Sequence, residues 1–228
     1  MSGWGDGYVT DIAYLNGWYR QQSPALLALA CLMNGAEVAM PSGDEPVQVL
    51  ELGCGQGYGA LLMAASNPTW RITAVDFNPA HIAAARDWAA EARLENVTFI
   101  EADLSTLAED PAARDIPQAD FVTLHGVWTW VSPAVQAGIV RLLRDKVRAG
   151  GIVHVSYNVL PAWGPRLGMQ RLIHDAGRLV AGRSDRQVED GIKISQARLA
   201  AEALHLRLPP STARTVRQVS PLRRARRR

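Results

Sequence analysis

No apolar run in this 228-residue chain reaches the length needed to span a membrane. Its first residues, Met1-Ser-Gly-Trp-Gly-Asp6, hold neither a basic segment nor an apolar one, so no secretory signal is legible there. Only two cysteines occur, Cys31 and Cys54, and they form no metal-spaced cluster. No metal site is expected, and a reducing cytoplasm is the simplest setting. Acids are missing from residues 207–228, where eight arginines stand. Without those charges the formal +2 becomes −6, so an acidic body carries a basic tail. Such a tail suits nucleic acid or an acidic surface. The plainer expectation is a solvated, disordered end. What remains is ordinary: 48% apolar and 20% charged residues suit a soluble globular fold with a substantial core.

The densest signal is Val47-Gln-Val-Leu-Glu-Leu-Gly-Cys-Gly-Gln-Gly57. An apolar run suited to a buried strand opens into Gly53, Gly55 and Gly57, and a helical pattern starts at once. Glycines let backbone approach a ligand and adopt positive φ. The helix start offers free N–H groups. This is the layout of a nucleotide-cofactor site. Gly55-Gln-Gly57-Tyr-Gly-Ala60 also fits the looser dinucleotide fingerprint, and both kinds of site expect an acid about twenty residues on, here Asp76. Glu51 tells against a pyrophosphate, which it would repel, and favours a cofactor with a cationic amine. S-adenosylmethionine has that amine, a sulfonium and an adenosine. Cys54 stands in the turn as a small residue rather than a nucleophile.

The pattern predicts strands at 47–52, 71–75, 97–101, 120–124 and 152–156. Helices are expected at 24–32, 57–66, 79–93, 133–148 (closed by Gly150-Gly151), 165–181 and 186–206. Strands alternating with helices imply an α/β fold with a mostly parallel sheet and helices on both faces. Ligands then bind at the strands' C-terminal ends. Gly53 to Gly57, Asp76, Asp103, His125 to Trp130 and Tyr157-Asn158 all follow such ends. Four segments are expected: an N-terminal helical lid at 1–46, a cofactor-binding core at 47–160, helices at 161–206 and the tail at 207–228.

These residues resemble the class I S-adenosylmethionine-dependent methyltransferases, which have a Rossmann-like fold. Glu51-x-Gly53-x-Gly55-x-Gly57, Asp76 and Ala102-Asp103 match their first three motifs. His125-Gly-Val-Trp-Thr-Trp-Val-Ser-Pro133 is similar to a stretch of bacterial methyltransferases that carry a C-terminal regulatory domain, some of which modify protein lysines. Ser156-Tyr-Asn-Val-Leu-Pro161-Ala-Trp163 and Tyr14-x4-Tyr19-Arg20-x3-Pro24 extend the match. The family's sheet ends in two further strands, an antiparallel pair, and no strand pattern follows residue 160. No regulatory domain is expected after it. A shortened relative is therefore expected, with strand 152–156 an exposed edge that a homodimer or the later helices would cover.

The resemblance implies roles. Glu51, Gly53, Gly55 and Gly57 would hold the methionine part of S-adenosylmethionine, leaving S-adenosylhomocysteine as product. Asp76 would accept from both ribose hydroxyls, unless it serves the helix start at Asn78-Pro79. Phe77 would pack on adenine, and Asp103 with Leu104 would meet its polar edge, capping being the alternative for Asp103. Tyr19 and Arg20 would close over the cofactor, Arg20 pairing with its carboxylate. His125 is the candidate base or orienting group, against a purely structural hydrogen bond. Tyr157 and Asn158 would orient the acceptor. Trp128 and Trp130 would wall the site or pack in the core. The acceptor is expected to be a protein lysine or a small molecule. The Asn/Asp-Pro-Pro-aromatic motif of nucleic-acid amino methyltransferases is absent after the fourth strand, which counts against a base. An inactive cofactor-binding relative and a nicotinamide-dependent oxidoreductase are the alternatives.

Overall fold

A computed structural model describes residues 17–38, 41 and 45–200. Tyr14 and the arginine tail lie outside the described residues. Internal contacts divide the chain into two units, and the boundary near the C-terminal side falls between Tyr157 and Asn158.

The first unit holds one sheet. Its strands are β1 (Gln48–Leu52), β2 (Arg71–Asp76), β3 (Val97–Glu101), β4 (Ala119–Leu124) and β5 (Val147–Val155). They run in the order β3-β2-β1-β4-β5, all parallel. α1 (Pro24–Met33) precedes β1, and α2 (Tyr58–Ser66), α3 (Pro79–Glu91) and α4 (Pro133–Lys146) connect β1 to β2, β2 to β3 and β4 to β5. This is the Rossmann-like α/β arrangement that the resemblance implies. The central strands are buried on both faces, which explains their near-continuous apolar sequence. One face packs Leu50, Leu52 and Leu124 under Ile139 and Leu142 of α4. The other packs Val49, Ile72 and Phe121 under α2 and α3. Strand order reverses between β1 and β4, and the crevice at such a reversal is where these sheets take ligands.

Local chemistry sets where the helices begin. Asn78 caps α3, its Oδ1 accepting the Ala80 N–H at 3.0 Å, and Pro79 takes the first helical position. Ser132 and Pro133 repeat the device at α4. The end of α4 departs from expectation. Gly150-Gly151 do not close the helix; α4 stops at Lys146 and both glycines lie within β5. Val147 already pairs with Ala119, and Arg148 forms an ion pair with buried Asp120. The register then slips between Ala119 and Phe121, and Gly150 at φ 82° takes up the slip.

In the second unit, α5 (Leu160–Gly177) and α6 (Ser184–Ala200) pack on each other. The first starts five residues earlier than predicted, because Pro161 fits a first helical turn. Among the described residues no strand follows Val155, so the family's antiparallel pair is not found there. β3 and β5 are the edges of the sheet. No described helix is long and apolar enough to cross a membrane.

A Cβ on Gly138 of α4 would come within 2.2 Å of the Leu104 carbonyl oxygen, backbone that cannot step aside cheaply. Gly138→Ala is therefore expected to destabilise the first unit by about 1–3 kcal/mol, the range for overpacking. Thermal unfolding should show it as a lowered midpoint; an unchanged midpoint would mean α4 does not seat as described.

Candidate functional site

A cleft of about 360 Å³ opens over the C-terminal ends of β1, β2 and β4. Its floor is built by the turn after β1. Gly53 has φ 74°, and a Cβ there would lie 2.4 Å from Val127 of the β4 loop, so only glycine lets the two loops meet. Gly55 has φ 55° with open space before it. Its N–H donates to Asp76 Oδ2 at 2.8 Å, tying the turn to the end of β2. Asp76 Oδ1 accepts the Asn78 N–H at 2.9 Å and faces His81 Nδ1 at 3.3 Å. The Asp76 carboxylate thus already shapes the turn, while a carboxylate's lone pairs leave capacity for further donors.

Glu51 lies beneath, only 6% exposed. Burial pushes its carboxyl from an ordinary 4.5 up to about 7; Asp76 adds to the rise, and an N–H of Ala60 at the start of α2 opposes it. Its Oε2 is buried without a partner. Burial, with Glu51 and Asp76 nearby, also drives the Cys54 thiol well above its usual range, so Cys54 is no nucleophile.

The other wall carries His125, which stacks on Tyr19 with ring centroids 4.0 Å apart. Burial lowers its pKa, and His154 lowers it further, so a neutral imidazole is favoured near pH 7.

Eight of the candidate cofactor-site residues line this cleft: Tyr19, Glu51, Gly53, Gly55, Asp76, Phe77, Leu104 and His125. Others do not. Gly57 caps α2 at φ 74°, and a Cβ there would strike Phe99 and Ala85; it lets helix and sheet pack rather than forming the cleft wall. Asp103 is exposed and its Oδ1 accepts the Ser105 N–H at 2.8 Å, the turn-capping alternative. Arg20 is exposed and outside the lining, as is Tyr157 at 62% exposure. Asn158 belongs to the second unit. The two tryptophans divide: Trp128 packs against the core and Trp130 lines the cleft. Gln22 was not foreseen. It is 4% exposed, lines the cleft and leaves Oε1 buried without a partner. Its position within Tyr19-Arg20-Gln21-Gln22 was the available signal. No cluster of His, Cys, Asp and Glu fit for a metal occurs among the described residues.

Residues 49–151 match the family described as a methyltransferase domain. That match, together with the three motifs, supports a class I S-adenosylmethionine-dependent methyltransferase. An uncharacterised protein of Synechocystis, sll1526, is 34% identical over 88% of this chain and 38% of its own length. A probable S-adenosylmethionine-dependent methyltransferase of Mycobacterium tuberculosis is 27% identical over 67% of this chain and 46% of its own length. PKMT2 of Rickettsia typhi, solved in complex with AdoHcy, shares the fold with a TM-score of 0.67 and 24% identity, covering 81% of this chain and 34% of that one. The chain therefore spans under half the length of these relatives. These likenesses support S-adenosylmethionine as the cofactor.

The buried acid has a cost that can be measured. Below pH 4.5 Glu51 is neutral in folded and unfolded chain alike. As pH rises to 7 the unfolded chain ionises first, so the folded state loses stability, levelling off above 7 at about 3 kcal/mol. Glu51→Gln is expected to stabilise the ligand-free protein at pH 8 and far less at pH 5. Urea unfolding at the two pH values checks this; equal effects at both would contradict the buried carboxyl.

Proposed function

We propose that this chain moves the methyl group of S-adenosylmethionine to a nucleophilic acceptor, with an amine, a protein lysine foremost, as the acceptor class. The observation that carries the cofactor half is the buried Glu51 carboxylate with an unpartnered oxygen at the base of a glycine turn. A phosphate-bearing dinucleotide would be repelled there. An α-ammonium supplies the missing donor and the compensating charge.

In this arrangement Glu51 and the Gly53–Gly55 backbone hold the methionine end. Asp76 receives the ribose hydroxyls at the end of β2. Phe77 and Leu104 give the adenine apolar walls. Gln22 Oε1 adds a second acceptor for the ammonium. Tyr19 covers this end of the cleft while stacked on His125. When bound, the cofactor supplies a methyl carbon made electrophilic by its sulfonium. The chain contributes alignment, which is worth roughly 7–11 kcal/mol in such displacements, and a place for one proton. A lysine ammonium has an unperturbed pKa of about 10.4 and must lose a proton before it can attack. His125, favoured as the neutral form, is a side chain at the cleft able to take it. Trp130, 58% exposed at the rim, offers an aromatic face to a cationic acceptor.

Calorimetric titration tests the cofactor. S-adenosylmethionine and S-adenosylhomocysteine are expected to bind, and NAD and NADP not. Asp76→Ala should weaken binding about 10- to 100-fold, the worth of charge-assisted hydrogen bonds. Binding of NAD in preference to the sulfur ligands would overturn the proposal.

A further inference from the structure

Register places Glu51 of β1, Thr123 of β4 and His154 of β5 in one row across neighbouring strands. The row before it is Val49, Phe121 and Ile152, all part of one apolar cluster. Two residues along, the same face of the sheet turns polar. His125 follows Thr123 by two positions and so lies on that face also. Each of these four polar side chains leaves one buried atom unpartnered: Glu51 Oε2, Thr123 Oγ1, His125 Nδ1 and His154 Nε2. Thr123 is fully buried. The His125 and His154 rings lie 8° from parallel with centroids 6.2 Å apart, too far for a direct hydrogen bond and suited to one intervening water. Buried polar atoms are rarely left unsatisfied, so this concentration beside one cleft calls for a shared role.

We propose that His154 is a positioning residue for His125: a water held among Thr123 Oγ1, His125 Nδ1 and His154 Nε2 fixes the His125 tautomer with its proton on Nδ1. His125 Nε2 then keeps its lone pair for the acceptor's proton. The inference rests on the proposed methyl transfer. The steps balance. The acceptor ammonium gives its proton to Nε2, making an imidazolium. The freed amine forms the N–CH3 bond as the C–S bond breaks, and sulfur keeps that electron pair. His154 and the water share the imidazolium's charge from the Nδ1 side. Burial holds the His154 ring, like His125, toward its neutral form, and with its own proton on Nδ1 its Nε2 accepts from the water. The other titratable groups at the cleft are Glu51 from β1, Cys54 from the glycine turn, Tyr58 from α2, Asp76 from β2, His81 from α3 and Tyr19 ahead of α1.

Nitrogen-15 NMR of the imidazoles, in protein saturated with S-adenosylhomocysteine, reads the tautomer without an acceptor. The wild type at pH 7 should show His125 protonated on Nδ1. His154→Gln, which keeps an acceptor near the Nε2 position, should retain that tautomer. His154→Phe should lose it, with S-adenosylhomocysteine affinity unchanged. With a lysine-rich peptide as acceptor, His154→Phe should lower kcat about tenfold or more, a modest share of a general base's effect, and leave KM for the cofactor alone. A wild-type His125 protonated on Nε2, or a tautomer indifferent to His154→Phe, would overturn the inference. Failure of S-adenosylhomocysteine to bind would instead sink the proposed function, and the tautomer could still be read in the free protein.

Discussion

The site depends on one electrostatic constraint: a carboxylate at the C-terminal end of the central strand, taken out of water and left with an oxygen unpaired. Glu51 sits at the point where strand order reverses, flanked by β2 and β4. There the α2 N-terminus gives it only partial relief, and Asp76 makes matters worse. Such an arrangement is expensive for folding and pays off only with a cationic ligand. It separates this glycine turn from a phosphate loop that otherwise shares its glycines and its downstream acid. Gly53 and Gly55 bring the backbone close, and Asp76 ties the turn to β2 by accepting the Gly55 N–H.

A polar row sits on an otherwise apolar sheet. Val49, Phe121 and Ile152 close the core beneath, and Glu51, Thr123 and His154 succeed them in the next row on the same face. The change from packing to chemistry therefore takes two residues on three strands at once. The β4 loop completes the cleft, since Val127 packs against Gly53 while His125 and Trp130 reach its wall. Rigid strands thus carry the groups that must hold position.

Much of this was legible in the chain because parallel strands and glycine turns leave strong local marks. Strand 97–101 matched to the residue, and Glu51, Asp76 and His125 fell where strand ends must put them. The errors came where long-range pairing outweighed local signals. Gly150-Gly151 read as a helix stop, yet the Val147–Ala119 pairing and the Arg148–Asp120 ion pair drew the strand back to the helix end. Asp103 carries the family motif, but its nearest donor is the Ser105 N–H two residues on. Gly57 belongs to the motif for helix–sheet contact rather than for the cleft. Thr123 and His154 left no mark. Each is polar in an unremarkable context, and only register or burial reveals that it faces the others.

The most direct measurement of the central claim is the number of protons exchanged when S-adenosylhomocysteine binds, from calorimetry in buffers of differing ionisation enthalpy. At pH 6 a Glu51 carboxyl with a pKa of about 7 is mostly protonated in the free protein. The ligand's α-amine, near 8 in model compounds, is already charged. Pairing the two requires Glu51 to release its proton, so about one proton should leave per ligand bound. The release should shrink as pH passes 7 and vanish in Glu51→Gln. Proton release of zero at pH 6, or release unchanged in Glu51→Gln, would contradict a buried acid waiting for a cation.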